Sequence, residues 1–210
     1  MDLFGLSPDR VAERVRSSGR DAVLPTLAQS LWIGSSGFCS ASLLVFATVA
    51  SGERWMYSNL GLPGAYATWT VIFILAGGAV LSPLVIGPGR VIRFYLLFSA
   101  AFLLYAAGWV GAYFTLGGVR GEWLGSFAGT ALMGLVLAGA FGAGRDAPKL
   151  ILSLFAANSV GYFLGEVCAS RIQGKTGMLV WGACYGLGLG AGLGYALYRA
   201  QAPVRERLAR

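Results

Sequence analysis

The sequence predicts an all-α, polytopic membrane protein built as a bundle of six transmembrane helices. Three observations predict it. Uncharged, apolar stretches recur six times along the 210 residues, each near the roughly 20 residues that a helix needs to cross hydrocarbon. Charges fall in the gaps between these stretches, Glu166 being the exception. Only 12% of residues are charged and 56% are hydrophobic, against roughly 25% charged in soluble domains. A single soluble core of this size has no room for so much apolar surface, so the bilayer must be part of the solvent.

The expected spans are residues 31–50, 65–86, 94–116, 123–144, 150–170 and 177–198. At about 1.5 Å per residue each is near 30 Å long. A cytoplasmic N-terminal segment with a short helix (1–30) precedes this transmembrane domain (31–200), and a basic cytoplasmic tail (201–210) follows it. In the first segment Ser7, Pro8 and Asp9 read as N-cap, N1 and first-turn acid of a helix. That helix is expected to be a solvated cap, with a membrane-surface helix as the alternative. Its acids and the distance to the first apolar stretch argue against a signal peptide. Pro203 is expected to stop the sixth helix. The longest connection, about 14 residues between the first two spans, holds the turn formers Asn59, Gly61, Pro63 and Gly64.

Six crossings place both termini on one side. Arg10, Arg14, Arg16, Arg20, Arg90, Arg93, Arg145, Lys149, Arg199, Arg205, Arg207 and Arg210 then share that side, and Arg54, Arg120, Arg171 and Lys175 the other. A twelve-to-four excess of basic residues marks the cytoplasmic face. The expected location is the bacterial plasma (inner) membrane, with both termini cytoplasmic. Trp55, Tyr57, Trp69, Trp109, Tyr113, Trp123 and Trp181 fall near outer helix ends, as interfacial anchors would.

The net charge of +7 follows from this bias and does not call for a nucleic-acid partner. The expected partners are the lipid bilayer and either a second copy or a membrane-complex subunit. The absence of histidine removes His-based metal sites and triads. Cys39, Cys168 and Cys184 form no C-x-x-C pair and read as small buried residues. No paired acids, no G-x-S-x-G and no intramembrane lysine appear. No metal or cofactor is expected, and the chain is not expected to be an enzyme.

Two patterns remain. Gly182, Gly186, Gly190 and Gly194 make a smooth stripe on the sixth helix, and Gly161 and Gly165 belong to a matching stripe on the fifth. Residues i and i+4 share a face, and small faces let helices approach closely in lipid. The fourth and fifth helices are the expected partners of the sixth. The second pattern is a polar ladder on the fifth helix: Asn158, Tyr162 and Glu166. An amide in hydrocarbon needs a partner, and an intramembrane carboxylate is a functional candidate. The ladder is therefore the candidate substrate site of a small-solute or ion transporter. The alternative is a non-catalytic scaffold or assembly subunit that packs through its glycine faces. The two three-helix halves also suggest an inverted repeat with a midplane site.

Overall fold

A computed structural model of the chain describes residues 4–19 and 22–209; Arg20, Asp21 and Arg210 lie outside these. The described residues are helical, with no strand. The helices are α1 (Pro8–Ser18), α2 (Leu27–Leu81), α3 (Arg90–Leu116), α4 (Gly118–Ala140), α5 (Ala147–Ile172), α6 (Gly174–Ala200) and α7 (Ala202–Leu208). Five helical segments are long and apolar enough to cross a membrane, and the first, Leu27–Leu84, has 58 residues. The outward surface matches: Leu75, Leu103, Leu152, Val160 and Leu164 are all more than half exposed. This is the construction of a multi-pass membrane protein.

Helix α2 is twice the length of a span because it is two helical arms. Gly61 breaks it with φ 65° and ψ 176°. A methyl group at Gly37 would sit 3.0 Å from Val80, and the Phe38 and Phe73 rings stack at 5.7 Å. In a continuous helix these pairs would be roughly 50–65 Å apart. The chain therefore folds back at Gly61 into a first arm (27–60) and a second arm (62–81). The expected 14-residue connection is instead helical on both sides of one glycine. Pro63 fits because it stands near the start of the second arm, where no N–H is needed.

Two other turns have the same build. Gly117 (φ 66°, ψ 164°) joins α3 to α4, and Gln173 (φ 57°, ψ 172°) joins α5 to α6. Each sets one residue with positive φ between two helices, and at the latter two the first residue of the following helix, Gly118 (φ 51°) or Gly174 (φ 60°), has positive φ as well. Gly61 and Gly117 adopt it readily; Gln173 is the one non-glycine residue with positive φ among those described. The remaining connections, Ser82–Gly89 and 141–146, are longer and contain 3₁₀ turns. The turns thus divide the chain into pairs of helices.

The long connections and the termini meet at the opposite end, here called the terminal end; the three one-residue turns mark the turn end. Helix α1 caps the terminal end, with Val11 and Val15 packed on Ile86 and Val204. Asp9 pairs with Arg207 of α7, and Arg16 donates to the Arg207 carbonyl at 3.3 Å. The tail is therefore not a loose basic extension. Pro203 stands in the first turn of α7, whose Val204 is fully buried.

Gln201, between α6 and α7, closes this end. Its amide nitrogen donates to the carbonyls of Leu84 at 3.0 Å and Leu197 at 2.9 Å. Its amide oxygen accepts from the Ile86 N–H at 2.8 Å. Backbone groups freed where the second arm of α2 ends are satisfied by this one side chain, as buried backbone polarity requires.

Candidate functional site: an aromatic cavity above a buried polar network

The glycine faces set the frame. Cβ atoms at Gly190 and Gly194 would collide with the backbone carbonyls of Gly34 and Ser30. One at Gly186 would lie 2.6 Å from Cys39 Cα, and one at Gly182 would lie 2.6 Å from the Phe46 ring. The stripe thus faces the first arm of α2, and not α4 or α5 as expected. Helix α5 takes the neighbouring face of α6. A Cβ at Gly161 would lie 2.6 Å from the Cys184 carbonyl oxygen, one at Gly165 would run into Trp181, and one at Gly188 would lie 2.5 Å from the Ala157 carbonyl oxygen. The two glycine registers of α6 therefore serve two different neighbours. The sequence signal for the first partner was Ser30 and Gly34 in the first span, at the same spacing of four.

Helices α4 and α3 meet in a similar way. A Cβ at Gly125 would lie 2.9 Å from the Trp109 carbonyl oxygen, and one at Gly129 2.7 Å from that of Tyr105. These close contacts bring polar side chains together inside the bundle. Asn158 is fully buried. Its oxygen accepts from the Tyr105 hydroxyl at 3.1 Å, and its nitrogen donates to Ser126 Oγ at 2.8 Å. The Tyr105 and Tyr185 hydroxyls are 3.0 Å apart. Tyr105 has one proton and gives it to Asn158, so Tyr185 donates to Tyr105. Ser126 and Ser159 share a hydrogen bond of 2.8 Å. One continuous run of donors, Tyr185 to Tyr105 to Asn158 to Ser126, ties α6, α3, α5 and α4.

Towards the turn end from this network lies a cavity of about 240 Å³. Its floor includes the Tyr105 and Tyr185 rings, and Val45, Val49, Thr70, Ala106 and Val110 are among its lining residues. The walls are otherwise aromatic. Trp109 and Tyr162 have ring centroids 5.8 Å apart, Tyr162 and Trp181 5.4 Å, and Phe46 and Trp181 5.9 Å. Trp69 completes the wall from the second arm of α2, 5.5 Å from Tyr66. No ionisable acid or base lines it. Among the described residues no group of His, Cys, Asp or Glu is arranged to hold a metal.

The candidate ladder divides between these two features. Asn158 lies in the network and is absent from the cavity wall; its side chain is committed to Tyr105 and Ser126. Tyr162 is on the wall. Glu166, one turn further, is part-buried at the turn end, near enough to Tyr162 and to Glu122 to act on both electrostatically. It makes no ion pair with Arg171 or Lys175.

Several residues of the site were not singled out from the sequence: Tyr105, Tyr185, Ser126, Phe46 and Glu122. Trp69, Trp109 and Trp181 were assigned to the interface, and the structure places them around the cavity instead. Trp32 and Trp55, 74% and 63% exposed, do have the exposure of interfacial rings. A signal separating the two groups was available. Phe94, Phe98, Phe102, Tyr105, Trp109 and Tyr113 recur every three or four residues along α3, which puts one aromatic stripe on one helix face.

The chain matches no family model, no curated protein and no solved structure.

Proposed function

We propose that the chain is a plasma-membrane transporter or permease of six crossings that admits a small solute into the aromatic cavity. The observation that carries this reading is the cavity itself. Helices packed as closely as glycine allows leave an opening walled by rings, on the turn-end side of a buried hydrogen-bonded network. Concave, largely apolar pockets with a few convergent polar groups are the usual form of a small-molecule site. Here Tyr105, Tyr162 and Tyr185 supply the polar groups. The network below them, centred on Asn158, is the closed path toward the terminal end. Passage requires the network to open.

The six-crossing count rests on the fold-back at Gly61 and on the meeting of α1 with α7, which puts both termini at one end. The basic excess makes that end cytoplasmic, and the cavity then opens toward the outside. No catalytic role is proposed, since no nucleophile–base pair borders the cavity. The scaffold reading needs a glycine face free for a partner. The faces of α6 are already covered by the first arm of α2 and by α5, which favours the solute reading.

The test is thiol accessibility in a cysteine-free background. Ala106→Cys, on the cavity wall, is expected to react with a membrane-impermeant reagent added outside intact cells. Met133→Cys, buried on α4 two turns nearer the terminal end than Ser126 of the network, is expected to react only from the cytoplasmic side, and to do so slowly as the path opens. Positions 60 and 118 should label from outside and position 205 should not. Labelling of 205 from outside would reverse the topology. Silence of Ala106→Cys from both sides would remove the solute site.

A further inference from the structure

The chemistry of the cavity and the charge around its mouth select one class of solute. Its walls are lined by the rings of Phe46, Trp69, Trp109, Tyr162, Trp181 and Tyr185 among others, and no fixed charge lies among them. An aromatic face carries negative potential and attracts a cation held over it. Three carboxylates stand at the same end of the bundle. Glu53 is close enough to Tyr66 of the wall to act on it electrostatically. Glu122 and Glu166 both act on Tyr162, and on each other. All three are part-buried.

Their pairing differs from that of two acids at the other end. Asp9 and Asp146 form ion pairs with Arg207, Arg199 and Lys149. Among the described residues, Glu53, Glu122 and Glu166 form none. The basic residues of the turn end, Arg54, Arg120, Arg171 and Lys175, are all exposed. Part-buried carboxylates thus share the turn end with the aromatic wall, while the basic residues there are exposed. An anion would meet carboxylates and ring faces and find no cationic partner. A neutral solute would gain burial alone. A compact inorganic cation would exchange its strong hydration for rings and hydroxyls. A methylated ammonium is weakly hydrated and large enough to touch several rings at once, which is how aromatic cages hold such groups. The volume of about 240 Å³ is room for about eight waters at roughly 30 Å³ each, enough for an ammonium carrying one ring or a short chain.

We infer that the cavity binds a small organic cation of the quaternary-ammonium class, steered in by Glu122 and Glu166 and held by the faces of the aromatic wall. This rests on the cavity being a solute site. The test uses the purified full chain in a neutral maltoside detergent, with benzyltrimethylammonium as probe and neopentylbenzene, its uncharged carbon analogue, as control. Tryptophan fluorescence is expected to change saturably with the cation and to show at least tenfold tighter binding than with the neutral analogue. The double variant Glu122→Gln/Glu166→Gln should weaken cation binding at least fivefold and leave the neutral analogue unchanged. Val110→Phe, which fills the cavity, should abolish both.

Equal affinity for the two probes would overturn the cation class while leaving a solute site in place. Unchanged cation binding in the double Gln variant would overturn the role of the carboxylates. Binding that survives Val110→Phe would place the cation elsewhere. Binding of neither probe overturns the inference, and Ala106→Cys labelling then says whether the solute site falls with it. Dihexanoylphosphatidylcholine carries the same ammonium on a lipid. Competition by it stronger than by benzyltrimethylammonium would overturn a free solute in favour of a lipid headgroup.

Discussion

Where α6 meets the first arm of α2, glycines bring two backbones into contact; where the second arm of α2 and α3 flank the cavity, large rings keep the space open. Both contacts belong to one bundle and both are apolar. The difference lies in side-chain size. In lipid no hydrophobic force separates the two modes, so close packing decides which helices associate. Glycine faces give a fixed contact with no slack. Aromatic faces touch edge to face, with ring centroids of 5.3 Å for Phe73 and Phe102 and 6.0 Å for Phe73 and Tyr185, and leave voids where they stop. The glycine contacts hold the frame, and the aromatic ones shape the opening within it.

The largest expected effect comes from breaking the first contact. In Gly186→Leu the new side chain would have to occupy the place of Cys39 Cα, 2.6 Å from the built Cβ. Backbone cannot step aside as a flexible side chain can. A loss of about 3 kcal/mol or more is expected, at or above the top of the usual overpacking range, read as failure to purify as a folded species or as a large fall in melting temperature. Ala106→Leu adds comparable volume on the cavity wall and should cost about 1 kcal/mol or less, because there the added carbons enter empty space. Similar losses in both variants would mean that the two regions are packed alike, and the comparison would fail.

Second in size is the terminal end. Gln201→Leu removes the partner of the Ile86 N–H and the Leu84 carbonyl. Two buried backbone groups left unpaired are expected to cost about 2–3 kcal/mol, seen as lowered thermal stability. Gln201→Glu keeps the acceptor for Ile86 and loses the donor to Leu84, so it should recover part of that loss. A neutral outcome for Gln201→Leu would show that water reaches this turn.

Apolar helices were legible because hydropathy needs no partner to be read. Residues 94–116 and 150–170 fall inside α3 and α5. The small-residue stripes were legible as well, since a spacing of four fixes a shared face. What pairs with a stripe was not. Gly34 and Ser30 look like any small residues until α6 lies against them. The aromatic cavity was hidden for a related reason. A tryptophan within two or three turns of a helix end satisfies the interfacial rule whether it faces lipid or interior, and Trp69 and Trp109 faced inward. Asn158 was recognised as needing a partner, but Tyr105 and Ser126 reach it from other helices and carry no local mark. The turn at Gly61 was masked by its own neighbours. Asn59, Pro63 and Gly64 are turn formers, yet one residue sufficed.

Next comes the network that separates cavity from terminal end. Asn158→Leu leaves Tyr105 and Ser126 without their shared partner. Interhelical hydrogen bonds in membranes are worth about 0.6 kcal/mol on average and up to about 1.7, so a loss of about 1–2 kcal/mol is expected for the pair. The same variant should raise the labelling rate of Met133→Cys from outside, because the floor of the cavity is no longer tied. A stability loss without any change in labelling would make the network a structural tie alone.

The smallest effect is expected at the surface of the cap. Asp9 and Arg207 join α1 to α7, but their side chains are 70% and 51% exposed. Solvent and salt screen such a pair, and exposed pairs contribute about 0.2–1 kcal/mol. Arg207→Gln is therefore expected to change stability by less than about 1 kcal/mol, and by less still in high salt. Val15→Asn, in the apolar contact beneath, is expected to cost more, since Val15 packs with Val11, Ile86 and Val204. Limited proteolysis of the first 20 residues reads the difference: rapid cleavage in Val15→Asn and near-native cleavage in Arg207→Gln. The reverse order would mean that charge, and not burial, holds the cap on the bundle, and that the terminal end closes by electrostatics alone.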